Sequence, residues 1–172
     1  CPFHCTYCTN AAWQKLYPKW KVRRRSVEHV MRELDAVVAE YPNLRYVIFA
    51  DDCFLACDMD FLREFCQAYQ ERIPAKIVAK STPAFITEDR IALLKEAGLA
   101  WFNLGLQSGS ERTCSEIYKR GSSPAQFLEA MHILQRHGVA IWYDIIVDNP
   151  FETEEDQLQT VETLIETPKP AY

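Results

Sequence analysis

The 172 residues carry 19 Lys and Arg against 24 Asp and Glu, a formal net charge of -5, and 48% of them are hydrophobic. No apolar run approaches the ~20 residues of a membrane helix, and the composition is that of a soluble globular domain with a real core. The acidic balance argues against a dedicated nucleic-acid-binding domain, whose usual footprint is basic.

In chain order, Cys1 to about Tyr17 reads as a loop, with Pro2 and Pro18 as breakers. Ser26 is placed to cap a helix from Val27 to about Tyr41, where Val27, Val30, Met31, Leu34, Val37 and Val38 recur at helical spacing. Tyr46-Val47-Ile48-Phe49 reads as a buried strand ending at Asp51-Asp52, and a second helix spans Met59 to Glu71. Lys76–Ala79 is a short strand. Thr87 is expected to cap the next helix, and Gly98 to close it. Trp101–Leu106 is a strand running into the polar turn Gln107-Ser108-Gly109-Ser110, followed by a short helix. Pro124 suits the first turn of a helix ending at His137-Gly138. Val139–Val147 is a strand broken by Asp148-Asn149-Pro150. A last helix starts at Thr153, with Glu154, Glu155 and Asp156 in its positive first turn, and runs to about Glu166.

Four strands alternating with helices imply βαβ units and a parallel α/β sheet. Four units are too few to close an eightfold barrel, so the expectation is a partial TIM-like barrel of the (β/α)6 type. Asp51, Asp52, Ser81, Gln107, Ser108, Asp148 and Asn149 follow strand ends, where such folds place their sites. The cysteine loop calls for a preceding strand, and Lys169-Pro170-Ala171-Tyr172 reads like the approach to another. The whole of 1–172 is therefore read as one core domain lacking its first strand and its last strand–helix unit.

Three of the seven cysteines crowd into Cys1-Pro2-Phe3-His4-Cys5-Thr6-Tyr7-Cys8, a C-x3-C-x2-C pattern. A secreted disulfide scaffold is usually shorter and richer in loops, so a metal site in a reducing cytoplasm fits better. Thiolates are soft ligands for iron–sulfur clusters and for zinc. On spacing alone the cluster fits better. Zinc stays open, with His4 as a fourth ligand of doubtful reach. Cys53, Cys57, Cys66 and Cys114 read as buried or incidental thiols. His132 and His137 fit helix packing and a helix end. Lys15, Lys19, Lys21, Arg23, Arg24 and Arg25, interleaved with Trp13, Tyr17 and Trp20, form a basic run. It reads either as a solvated loop or as a dock for an acidic electron donor or a phosphate-bearing substrate.

Cys1, Cys5 and Cys8, with aromatic Tyr7 before the third cysteine, resemble the signature loop of the radical S-adenosylmethionine (SAM) superfamily. Phe49-Ala50-Asp51-Asp52-Cys53-Phe54 resembles its second-strand motif. Leu104–Arg112 resembles its fourth-strand G-x-E-S-G segment, with Gln107 where many relatives have Glu. Ile145–Thr153 resembles its fifth-strand G-x-P-G-E-T segment, with Asp148 and Phe151 where glycines are common. The chain is most similar to the members that carry a cobalamin-binding domain. The resemblance implies a [4Fe-4S] cluster on Cys1, Cys5 and Cys8, reductive cleavage of SAM, and an electron donor such as a flavodoxin or ferredoxin.

The resemblance also implies roles by position. Tyr7 approaches the adenine through its backbone, and Ile146 packs on it. Asp51 and Asp52 lie near the methionine ammonium. Gln107 and Ser108 reach the ribose or the methionine end, and Arg120 pairs with the SAM carboxylate. Cobalamin would need a domain outside these residues, which contain no Asp-x-His-x-x-Gly motif.

Overall fold

A computed structural model describes residues 1–17, 19 and 21–169. The expectations for Pro18, Trp20 and Pro170-Ala171-Tyr172 lie outside the described residues. Four strands, β1 (Tyr46–Ile48), β2 (Lys76–Ser81), β3 (Leu99–Gln107) and β4 (Ala140–Ile145), form one sheet. They pair in sequence order and all run parallel. The expected unclosed α/β sheet is thus observed. Among the described residues no helix is long and apolar enough to cross a membrane.

The helices are α1 (Thr9–Leu16), α2 (Val27–Glu40), α3 (Met59–Arg72), α4 (Glu88–Glu96), α5 (Pro124–Arg136) and α6 (Glu154–Glu166). From α2 to α6 they pack neighbour against neighbour. Their inward faces meet β2 and β3 in one core that includes Met31, Leu62, Leu94, Phe102 and Met131. Ser26, Asp58, Ser123 and Thr153 cap four of these helices by accepting from backbone N–H groups. Gly98 takes a φ of +103° beyond α4 and lets the chain turn straight into β3.

Three expectations are corrected. The segment after Cys8 is helical over Thr9–Leu16. Eight residues are too few for a helix to stand alone, and docking supplies the stability that the sequence pattern does not show. Gln14 turns its buried amide inward to donate to the carbonyls of Cys1 and Phe3, both at 3.3 Å. The strand at Tyr46 is not buried. Tyr46 and Ile48 are 48% and 72% exposed, because β1 lies at the sheet edge with only β2 beside it. Thr87 flanks α4 without a side-chain cap bond, and only its carbonyl accepts, from Ile91 N–H.

α6 docks in an unusual way. It buries the polar side chains Asp156 and Thr163 while Leu158, Val161 and Ile165 face outward. Its approach is set by Gly109, where a Cβ would lie 2.5 Å from both the Gln159 carbonyl oxygen and the Thr160 Cα. Both are backbone atoms, so neither yields by a rotamer change. Gly109→Ala is expected to cost about 1–3 kcal/mol, the usual range for overpacking. Urea denaturation checks this, and an unchanged midpoint would show that α6 can move away freely.

Candidate functional site

Because the strands are parallel, their C-terminal ends share one rim, and the cysteine loop lies across it. Thr6 N–H donates to the Tyr118 carbonyl at 2.9 Å, and Thr6 Oγ1 to the Ile117 carbonyl at 2.6 Å, in the segment after β3. The Phe3 ring stands 5.8 Å from Phe85, in the turn after β2. The same ring covers Gly121, where a Cβ would overlap it. Asn10 of α1 donates to Asp52 Oδ2 at 2.7 Å, just beyond β1. The loop is therefore held by the segments after three successive strands.

On this loop Cys5 is buried, Cys1 and Cys8 are half-buried, and none is in a disulfide. Cys8 is the residue flanking the N-terminus of α1, and its N–H bonds the Cys5 carbonyl at 3.1 Å. Among the described residues no three His, Cys, Asp or Glu side chains gather closely enough to hold a single ion. The three thiols are spread along the loop, and a cubane offers three separate iron corners to such a set. Soft and outside any disulfide, the donor set fits an iron–sulfur group.

Asp52 accepts from Asn10 and forms an ion pair with Lys80 at 3.5 Å. The Asn10 amide, and then Lys80, hold its carboxyl below the usual range. Asp51 is exposed beside it. Both line a cavity of about 640 Å³ that also takes in Cys1, Cys53 and Arg24. Cys53 itself is buried against Ser81 Oγ at 3.1 Å.

At the end of β3 the pairing with β4 shifts register between Gly105 and Gln107. Gln107 takes a φ of +69°, an uncommon conformation for a residue with a side chain. The bulge re-aims its side chain over Gly105, where a Cβ would stand 2.5 Å from Gln107 Nε2 and 3.4 Å from an Arg120 nitrogen. Arg120 reaches the same place from the other side. It donates to the Gly105 carbonyl at 2.5 Å and to the Tyr7 hydroxyl at 2.7 Å. Burial pushes the Tyr7 phenol up to about 12, against the pull of Arg120 and with Cys5 nearby adding to the rise. Ile146 is half-buried, and its N–H bonds the Gln107 carbonyl at 2.8 Å. The rim thus brings together Tyr7, Gln107, Arg120 and Ile146, with Asp51 and Asp52 on the β1 side.

Ser108 turns away from the rim. It is fully buried and donates to Glu152 at 2.7 Å, while its neighbour Ser110 donates to Asp156 at 2.5 Å. Asp156 also accepts from Arg112 and from Thr153, whose N–H and hydroxyl lie 2.8 and 2.7 Å away. Sequence reading gave Asp156 only a helix-dipole role; a charged residue among the first three of a helix shows no sign of being a buried hub. Asp148 takes a φ of +57°, so an aspartate adopts the left-handed turn here, which Asp tolerates better than most residues. Beside it, Asn149 donates to the Tyr118 hydroxyl at 3.1 Å.

An open parallel α/β sheet with a three-cysteine loop across its strand ends defines the class of protein. Residues 1–164 match the profile of the radical SAM superfamily, and the chain belongs to that superfamily. Among curated relatives, an uncharacterized methyltransferase of Pyrococcus horikoshii is 27% identical over 161 residues, covering 94% of this chain and 34% of that protein. The tRNA-2-methylthio-N(6)-dimethylallyladenosine synthase of Desulfosudis oleivorans is 27% identical over 183 residues, covering 95% and 36%. The chain thus spans about a third of the length of these relatives. The fold is shared with the radical SAM methyltransferase TsrM of Kitasatospora setae, solved with cobalamin and a [4Fe-4S] cluster, at a TM-score of 0.75 and 15% identity over 96% of this chain and 32% of that one. It is also shared with the cobalamin-dependent SAM radical enzyme OxsB, at 0.76 and 17% over 95% and 25%.

Arg112, then Ser110, hold the Asp156 carboxyl well below the usual carboxylate range. A depressed folded-state value means its stabilisation is full above the unfolded value, about 4, and is lost as pH falls through the folded one. Asp156→Ala is expected to cost about 2 kcal/mol or more at pH 7, since several donors lose one acceptor. The variant's deficit should shrink between pH 4 and pH 2 in urea titrations. A deficit independent of pH would mean that packing, not charge, is what the residue supplies.

Proposed function

We propose that this chain is the SAM-cleaving core of a radical SAM enzyme, with a [4Fe-4S] cluster on Cys1, Cys5 and Cys8. The observation that carries the reading is the cysteine loop fastened across the rim, tied through Asn10 to Asp52 on one side and through Tyr7 to Arg120 on the other. When bound, the cluster supplies the electron that splits SAM into methionine and a 5′-deoxyadenosyl radical, which takes hydrogen from substrate.

The protein's part is to bind and orient. Cys1, Cys5 and Cys8 would hold a four-iron cluster and leave it open to the amino and carboxylate groups of SAM. Asp52, kept ionised by Asn10 and Lys80, would set negative charge beside the SAM amino group. The Arg120 guanidinium is matched in shape and charge to the SAM carboxylate, and its bond to Gly105 fixes its position beforehand. Gln107 offers an amide to the ribose. Tyr7, through its backbone, and Ile146, through its side chain, flank the adenine. Ser108, drawn into the Glu152 bond, acts by holding the turn after Gln107 and not by touching SAM.

The substrate lies beyond these residues. The likeness to OxsB and TsrM, and the methyltransferase name of the Pyrococcus relative, support methylation or another C–C bond-forming or rearrangement reaction. Cobalamin would then be held by a domain outside these residues. Reducing equivalents would come from an external flavodoxin- or ferredoxin-like protein in the cytoplasm.

The test is anaerobic reconstitution of the full-length protein with iron and sulfide, then reductant and SAM, with 5′-deoxyadenosine as the readout. Replacing Cys1, Cys5 and Cys8 together by Ala should abolish both the cluster absorbance and the nucleoside; retained cleavage would sink the mechanism. Asp52→Ala should weaken SAM binding about tenfold, as expected for one charged hydrogen bond, and leave iron content unchanged. Unaltered SAM affinity in a titration would remove Asp52 from the site.

A further inference from the structure

Charge is distributed very unevenly along this chain. Its first 25 positions hold six of the 19 basic residues and none of the 24 acidic ones. The structure divides the six into two sets. Arg24 donates to the Ala56 carbonyl and lies 4.8 Å over the Phe61 ring, and Arg25 pairs with Glu33. Lys15, Lys19, Lys21 and Arg23 are exposed, and among the described residues they form no ion pair.

The free lysines flank an exposed apolar surface on α1 and just beyond it. Trp13 and Tyr17 stack with ring centroids 6.1 Å apart and 20° between planes. They are 50% and 57% exposed, and Leu16 is 68% exposed. A stacked aromatic pair with an aliphatic neighbour and a rim of one charge has the anatomy of a protein-docking patch. Gln14 and Asn10 of the same helix bond to the cysteine loop and to Asp52, so the patch adjoins that loop. Trp13 follows Cys8 by five helical residues, a rise of about 8 Å.

We propose that Trp13, Leu16 and Tyr17, rimmed by Lys15, Lys19 and Lys21, form the dock for an acidic one-electron donor protein. The proposal rests on the cluster reading above. A substrate must reach the rim itself, which runs from Asp52 beyond β1 to Gln107 and Arg120 beyond β3. This patch lies on the helix that directly follows the cluster loop. Electron entry needs only that proximity. One electron leaves the donor's reduced flavin or iron–sulfur group and enters the cluster, and no covalent bond forms or breaks. A local positive field on an otherwise acidic body steers an acidic partner to this one face.

The test compares two reductants on the full-length reconstituted protein, with stopped-flow loss of cluster absorbance as the readout. The probes are reduced flavodoxin, an acidic flavoprotein, and dithionite, which needs no dock. Changing Lys15→Glu, Lys19→Glu and Lys21→Glu together should slow reduction by flavodoxin about tenfold or more and leave the dithionite rate unchanged. The wild-type flavodoxin rate should also fall as salt rises. Trp13→Ala, read the same way, carries the test if circular dichroism shows that the triple variant has not folded.

Reduction by flavodoxin at the wild-type rate, with dithionite-driven SAM cleavage intact, overturns the dock alone. Equal slowing with both reductants also overturns it, since the patch would then be structural. Loss of affinity for bulk tRNA with an unaltered flavodoxin rate would assign the patch to nucleic acid instead. A protein that assembles no reducible cluster overturns the radical SAM reading and this proposal with it.

Discussion

Parallel pairing in sequence order is the constraint on which the site depends. Each βαβ unit returns the chain to the same end of the sheet, so whatever follows each strand falls on one rim. Asp51-Asp52, the Pro83–Phe85 turn, Gln107 and Ile146 are far apart in sequence, yet all emerge along one edge. The cysteine loop uses this directly. It bonds to the segments after β1 and β3 and stacks on the turn after β2, so its position follows from the sheet and not from its own local preference. α1 is the clearest product, a two-turn helix held by what it docks against.

Two backbone irregularities shape that rim. The register shift at Gly105 and the left-handed Gln107 redirect an amide that would otherwise continue the strand's alternation. Glycine at 105 leaves room for both that amide and the Arg120 guanidinium. The turn after Gln107 is then stiffened from below, by Ser108 on Glu152 and by Ser110 and Arg112 on Asp156. α6 thus serves as an anchor for the loop after β3. This explains why it buries a carboxylate and leaves aliphatic side chains outside.

Electrostatics separates two regions of the molecule. Anionic groups meet the cysteine loop at Asp51 and Asp52, where a ligand's ammonium would be favoured. Cations without an ion pair among the described residues collect on and after the helix that follows the loop. α1 takes part in both, with Asn10 and Gln14 in polar contacts and Trp13 stacked on Tyr17.

The sequence by itself determined the strand–helix alternation, the parallel sheet, the cap at Ser26, the helix start at Thr153 and the three-cysteine loop. These depend on local periodicity, local capping chemistry and residue spacing, all of which are visible within a short window. Tertiary structure alone decided the rest. It made Thr9–Leu16 helical, because docking contacts outweigh a short helix's nucleation cost. It left β1 exposed at an edge, because strand order is not a property of any one strand. It moved Ser108 from the rim into the α6 interface, and it made Asp156 a hub, because both partners come from segments more than forty residues away. It also sorted one basic run into spent and free charges, since only the fold sets which guanidinium meets Ala56, Phe61 or Glu33 and which ammonium meets water.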